Sequence, residues 1–258
     1  MINLEYIKQF YNNPLEYNQT ENILKEYLQY NILNIIYNTS YWNNLVFLWW
    51  TAIRIIFNSG RFSEDLDFDN FWLNEEDFEN LTKEIQTWLE LLWFKVIIKN
   101  IYKWAWHCYI KLPDILFENN LSVYKQEKIL IQIDTVKQDY VYEADKKILD
   151  KFWIYNLINS CPIDILLSKK IHALVDRKRI KWRDFYDVVF LSKFAKPNYD
   201  YLENKIWIKN SSELKEKLLD FIENLDLEKI AQDIKPFLIN VLEINRIIWF
   251  KDFINSNF

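Results

Sequence analysis

Asp65 and Asp67 stand one residue apart in the run Arg61-Phe-Ser-Glu-Asp-Leu-Asp-Phe68, and this spacing suggests chemistry. Apolar and acidic residues alternate from Asp65 to Asp69, which is strand periodicity, so both carboxylates point to one face and Leu66 and Phe68 to the other. Two carboxylates side by side repel unless a cation lies between them. Magnesium suits that place, because it takes oxygen ligands and is commonly held by one or two carboxylates plus substrate phosphates. A later apolar run, Ile129-Leu-Ile-Gln-Ile-Asp134, carries one acid. Burying Asp134 alone would be costly. It makes sense if that strand lies beside the first and Asp134 joins the site. Asp65, Asp67 and Asp134 could then hold two metal ions and activate a hydroxyl for attack on a nucleoside triphosphate. A solvated edge strand would also carry Asp65 and Asp67.

Upstream, Phe47-Leu-Trp-Trp-Thr-Ala-Ile-Arg54 joins a short strand to a helix start. With glycine at 49 and 50, this would be a tight turn whose backbone N–H groups and helix N-terminus hold phosphate, with Thr51 adding a hydroxyl. The sequence instead has Trp49 and Trp50 there. The chain has one glycine, Gly60, and 12 tryptophans, whereas average usage of ~7% would give about 18 glycines. Trp93, Trp153, Trp182, Trp207 and Trp249 also fall at joints between periodic segments, where glycine is expected. An aromatic-rich, AT-biased composition is one account. The other is translational: some bacterial lineages decode UGA as glycine, and reading those codons as tryptophan loses one residue type and gains the other. UGG codons at 49, 50 and 182 would exclude the second account.

These residues need elements to position them. Glu21–Tyr37 has the apolar stripe of a helix. Leu45–Leu48 reads as a buried strand, Thr51–Phe57 as a helix, and Asn58-Ser-Gly60 as a turn. Glu75–Leu92 is an amphipathic helix with acids in its first turn. Strands are expected at Phe94–Ile101, His107–Leu112 and Lys128–Val136. Helices are expected at Ile163–Arg177, Arg183–Lys193, Ser212–Asn224, Leu227–Leu238 and Glu243–Asn255. The fold class is α+β: a mixed sheet flanked by helices in residues 1–142, followed by a helical part in 143–258.

Bulk properties exclude several classes. No apolar run reaches the ~18 residues of a membrane span. The start lacks the order of a signal peptide, and Cys108 and Cys161 form neither a metal spacing nor a disulfide framework, so a cytoplasmic protein without membrane attachment is expected. The net charge is −5, so nucleic acid would need a local basic patch. Ser168–Arg183, with seven Lys or Arg and one Asp, supplies a candidate. His172, on the apolar side of its helix, reads as a packed core residue, and His107 sits at a strand start with no second ligand at metal spacing.

The Trp-Trp-Thr-Ala turn, taken with glycine at its first two positions, and the Arg-Phe-Ser-Glu-Asp-Leu-Asp-Phe run resemble the AbiEii/AbiGii nucleotidyltransferases of the DNA polymerase β-like superfamily. A second match lies at Leu167-Ser-Lys-Lys-Ile-His-Ala-Leu174, Arg177 and Lys181-Trp-Arg-Asp-Phe-Tyr-Asp187. The likeness spans about residues 40 to 195, and Trp49, Trp50 and Trp182 depart from it at glycine positions. It implies a magnesium-dependent enzyme that moves a nucleoside monophosphate from an NTP to an acceptor. RNA, with tRNA a good candidate, is the implied acceptor. The chain would be the toxin of an abortive-infection (phage-defence) pair with a separately encoded antitoxin. Lys170 would neutralise phosphate charge in the transition state. The turn at 49–51, Arg61, Ser63, Lys170, Arg183 and Asp187 would contact nucleotide, and Asp184 would serve in an ion pair. A small-molecule or protein acceptor, or a degenerate nucleotide-binding protein, are the alternatives.

Overall fold

The computed structural model describes residues 3–177, 181–234 and 238–258. They form two compact units, one of Met1–Asn58 with Phe62–Ser160, the other of Ser59–Arg61 with Cys161–Phe258.

The first unit contains α1 (Leu4–Lys8), α2 (Pro14–Tyr17), α3 (Thr20–Asn38), β1 (Leu45–Leu48), α4 (Trp49–Phe57), β2 (Leu66–Asn70) and α5 (Glu75–Leu91). It continues with β3 (Ile97–Tyr102), β4 (Trp106–Pro113), α6 (Ile115–Glu118), β5 (Lys128–Lys137), β6 (Asp145–Lys151) and β7 (Ile154–Ser160). The strands form one sheet in the order β3-β4-β5-β2-β1-β7-β6. β1 runs antiparallel to β2 and parallel to β7, and β2 runs parallel to β5. This mixed sheet flanked by helices is the expected fold class.

The helices follow from local chemistry. α5 starts at a capping box: the Asn74 side chain accepts from the Asp77 N–H at 2.9 Å, and the Asp77 carboxylate accepts from the Asn74 N–H at 3.5 Å. Phe78, Leu81, Ile85 and Leu89 recur at helical spacing and are buried. They pack, with Ile23, Leu24 and Leu28 of α3, in the same core as Ile110, Ile131 and Ile133 of the sheet. α5 ends in a Schellman motif, with Trp93 N–H donating to Glu90 O at 2.9 Å and Phe94 N–H to Leu89 O at 3.0 Å. That motif puts Trp93 in the left-handed region, at φ 66°.

The second unit contains α7 (Ile163–Asp176), α8 (Trp182–Leu191), α9 (Tyr199–Ile206), α10 (Ser211–Ile222), α11 (Leu227–Ile234), α12 (Asn245–Ile248) and α13 (Phe250–Asn257). Leu166, Leu167 and Ile171 of α7 and Phe185, Val188 and Leu191 of α8 are buried. The helix expected at Glu243–Asn255 is broken at Trp249. The end of the one expected at Leu227–Leu238 runs into residues 235–237, outside the described residues.

Two strands went unforeseen. The division expected at 142/143 falls before β6 and β7, which complete the sheet of the first unit. β6 has one buried residue, Leu149, and the first four residues of β7 are exposed or half-buried, so both lack the buried apolar run of β1. Among the described residues, no helix is long and apolar enough to cross a membrane.

Candidate active site

Sheet register brings three of the sequence-selected segments together in the first unit. Leu48, the last residue of β1, pairs with Asp67 on β2. On the other side, Asp67 pairs with Asp134 on β5. Partners in a parallel ladder project to the same face, and both aspartates are half-buried between buried neighbours: Leu66 and Phe68 on β2, Ile133 and Thr135 on β5. Asp65 lies two positions before Asp67 and is also half-buried. Further along that face Asp69 is buried and accepts a hydrogen bond from the Tyr142 hydroxyl.

The turn after β1 is tied to this strand. Trp49 takes a left-handed conformation, φ 61°, and α4 starts there, with Trp50 half-buried beside it. Thr51 is buried, and its hydroxyl donates to the carbonyl of Asp65 and lies 2.8 Å from the Ser63 hydroxyl. Both hydroxyls bind the start of α4 to the segment leading into Asp65.

Gln29 of α3 anchors the same segment. It is buried, and its side-chain amide donates to the carbonyls of Ser63 at 3.0 Å and Glu64 at 2.9 Å. α4 is itself held by a buried ionic network. Arg54 bonds Glu26 of α3 at 2.8 Å and Glu16 of α2 at 2.8 Å, and Lys151 of β6 bonds Glu26 at 2.6 Å. Burial pushes the Glu26 carboxyl up, but Arg54 and Lys151 more than reverse this and hold it below the ordinary range.

His107, which has no partner at close sequence spacing, finds one across the sheet. It pairs with Asp134 across β4 and β5, and its Nδ1 lies 2.7 Å from Asp134 Oδ1, a contact that puts the proton on Nδ1. Gln132 donates to the same oxygen at 2.7 Å. The signal was available: His107 falls on the strand face opposite Cys108, Ile110 and Leu112. Gln29, an amide within an apolar helical stretch, left a fainter trace.

Among the described residues, no three His, Cys, Asp or Glu side chains converge on a cation position. One Asp134 oxygen serves His107 and Gln132. The donor set still suits magnesium: carboxylates on neighbouring strands, at one register and on one face, leave the remaining positions to substrate phosphates.

The second match maps to the second unit. Lys170 is fully buried, with its Nζ 2.7 Å from Asp187 and 3.3 Å from Asp184. Arg177 bonds Asp184 at 2.7 Å, and Arg61, which belongs with this unit, reaches Asp187 at 3.5 Å. Asp184 and Asp187 share a face of α8, as a spacing of three requires. Burial lowers the Lys170 pKa, and the two carboxylates offset only part of that shift. Three cations meet two carboxylates here. The guanidinium of Arg183 lies 5.3 Å over the ring of Trp182. Of the basic patch expected at Ser168–Arg183, Lys169 and Lys170 are buried, Arg177 is half-buried and paired with Asp184, Arg183 is half-buried and Lys181 is exposed. Lys178 and Arg179 lie outside the described residues.

A sequence model of the nucleotidyl transferase AbiEii toxin, type IV toxin–antitoxin system, matches residues 51–243. The chain belongs to the AbiEii nucleotidyltransferase toxin family. No curated protein sequence matches it. Its fold is similar to that of JHP933 from Helicobacter pylori, with a TM-score of 0.55, 18% identity, and coverage of 92% of this chain and 94% of that one. It is also similar to MenT4, a nucleotidyltransferase toxin from Mycobacterium tuberculosis, with a TM-score of 0.55, 11% identity, and coverage of 99% and 90%. As a member of the AbiEii family the chain is a nucleotidyltransferase of a toxin–antitoxin system.

Proposed function

We propose that this AbiEii chain transfers a nucleoside monophosphate from an NTP to a hydroxyl of RNA, with tRNA as the leading acceptor. The observation that carries the reading is the shared register of Leu48, Asp67 and Asp134, which sets the turn into α4 beside the carboxylates. Asp65 and Asp67 would hold magnesium, with Asp134 beside them, and two ions are the expected number. The metal supplies charge stabilisation at the triphosphate and a lowered pKa for the attacking hydroxyl. Asp134, oriented by His107 and Gln132, accepts the proton of the acceptor hydroxyl. The hydroxyl oxygen bonds to the α-phosphorus, the bond from that phosphorus to the bridging oxygen breaks, and pyrophosphate leaves. Lys170, Asp187, Arg61 and Arg183 are assigned to nucleotide handling on the strength of the family motif. In its biological role the chain is the toxin of an abortive-infection pair, acting in the cytoplasm and restrained by a separately encoded antitoxin.

The reading includes glycine at tryptophan positions, and three observations support it. Trp49, Trp93, Trp153 and Trp207 all have φ between 59° and 66°. Bulky side chains rarely occur there and glycine adopts it freely. Trp93 is 92% exposed, Trp104 82% and Trp72 75%, although tryptophan is highly buried on average. Glycine at 49 would also free the backbone of the turn for phosphate.

The test is label transfer. The chain as printed and a form with glycine at the tryptophan positions are each incubated with magnesium, the four labelled NTPs and total tRNA. Transfer by the glycine form, lost in Asp65→Ala/Asp67→Ala, is expected. A folded glycine form that labels no RNA would remove the RNA acceptor from this reading.

A further inference from the structure

The face of the sheet that carries Asp67 and Asp134 continues outward over β5, β4 and β3. Its opposite face is core, with Cys108, Ile110, Ile129, Ile131 and Ile133 all buried. The open face is wet: Lys99, Lys128 and Leu130 are exposed, and Tyr109, Lys111 and Gln132 are half-buried. Lys99, Tyr109 and Gln132 are aligned across three strands, and the next row places Lys111 beside Leu130. The row on the other side is His107 and Asp134, so the face leads directly to the carboxylates. None of Lys99, Lys111 and Lys128 forms an ion pair among the described residues. In a chain of net charge −5, three uncompensated lysines on one open face make a local basic surface.

We propose that this face of β3, β4 and β5 binds the acceptor as a single-stranded RNA end. Bases stack on Tyr109, phosphates run past Lys99, Lys111 and Lys128, and the terminal hydroxyl reaches Asp134. The inference rests on the nucleotidyltransferase reading above and names the surface that selects its substrate. Four residues of strand separate Leu130 from Asp134, roughly 13 Å at ~3.4 Å per residue, which is room for two or three nucleotides. Every base has a π-face, so a half-buried aromatic ring with one face toward solvent among lysines binds single strands with little regard to sequence. A duplex keeps its bases stacked inside and cannot use Tyr109. A small acceptor needs a concavity that encloses it, whereas this face is open. No residue of the surface is a tryptophan, so the argument is independent of what stands at those positions.

The experiment uses the full chain in the form that transfers label, or the printed chain if neither form does. Fluorescence anisotropy compares an RNA hairpin with a short unpaired 3′ tail against the same hairpin with a blunt end. Tail-dependent binding is expected. Tyr109→Ala should weaken it on the order of tenfold, and Tyr109→Phe should restore it, because the ring is what stacks. Lys99→Gln with Lys111→Gln should lower the slope of log affinity against log salt by about 1.4. Both changes should raise KM for RNA and leave KM for NTP unchanged, and Lys83→Gln on α5 should do neither. Equal binding of tailed and blunt hairpins, or binding untouched by the Tyr109 and lysine changes, overturns the platform even if transfer to RNA persists. Tail-dependent binding by a protein that transfers nothing overturns the transferase reading and leaves the platform standing.

Discussion

Replacing Trp93 by glycine should stabilise the first unit, and replacing Trp88 by glycine should destabilise it. Both tryptophans are exposed and both belong to the end of α5, but their backbones differ. Trp88 lies inside the helix, whereas Trp93 follows the last turn at φ 66°. A non-glycine residue in the left-handed region costs roughly 1–2 kcal/mol. Glycine removes that cost but adds roughly 0.5–1 kcal/mol through the freedom it gains in the unfolded chain. The ring of Trp93 is 92% exposed, so its loss forfeits little burial. The net expectation for Trp93→Gly is a gain of about 0.5–1 kcal/mol. Within the helix the same substitution has no strain to relieve, and the propensity difference of about 0.5 kcal/mol adds to the lost burial of a ring that is only 53% exposed, so the loss at Trp88 exceeds about 0.5 kcal/mol. Urea denaturation monitored by far-UV circular dichroism reads both as midpoint shifts at constant slope. Midpoints that fall together would refute the argument that a glycine conformation underlies position 93, because strain relief is expected there and not at 88.

Lys170→Ala should destabilise the second unit by about 3–5 kcal/mol, because it strips a buried cation from Asp184 and Asp187. Thermal unfolding measures this, and a small effect would mean that Arg61 and Arg177 suffice for the two carboxylates. Acid should weaken the first unit through Glu26, whose folded pKa lies below the ordinary 4.5. A depressed carboxyl contributes its stability above the unfolded pKa and loses it as pH falls through the folded value, so urea midpoints should drop below about pH 4.5 and Glu26→Gln should flatten that limb.

The strands that carry the acids were legible in the sequence. Alternation around Asp65 and Asp67, and the single acid closing the Ile129–Asp134 run, were enough to anticipate two neighbouring strands, because a buried face leaves a strict period of two. Long amphipathic helices such as α5 were legible for the same kind of reason. What a period cannot show is which polar atoms meet across the sheet. His107 looked isolated because its partner, Asp134, is distant in sequence, and Thr51 looked available because nothing local shows its hydroxyl turning to Asp65.

The largest omission, the β6–β7 hairpin, has a more specific cause. Lys151 pairs with Ile154, so the turn is the two residues Phe152 and Trp153, with φ of 56° and 60°. Two positive φ values define the type I′ turn that matches strand twist, and glycine at its second position is the strongest short-range hairpin signal. Phe152 is explained by its own packing, since its ring is buried against Phe10, Tyr27 and Tyr30. Trp153 is 66% exposed and touches only the rim of that cluster, at Tyr6 and Phe10. A glycine there would have announced the turn, and with it the two strands assigned to the helical part. Removing Trp153 also removes its ring contacts, worth about 0.5–1.5 kcal/mol. Trp153→Gly should therefore come out near neutral, less stabilising than Trp93→Gly although both relieve the same backbone strain.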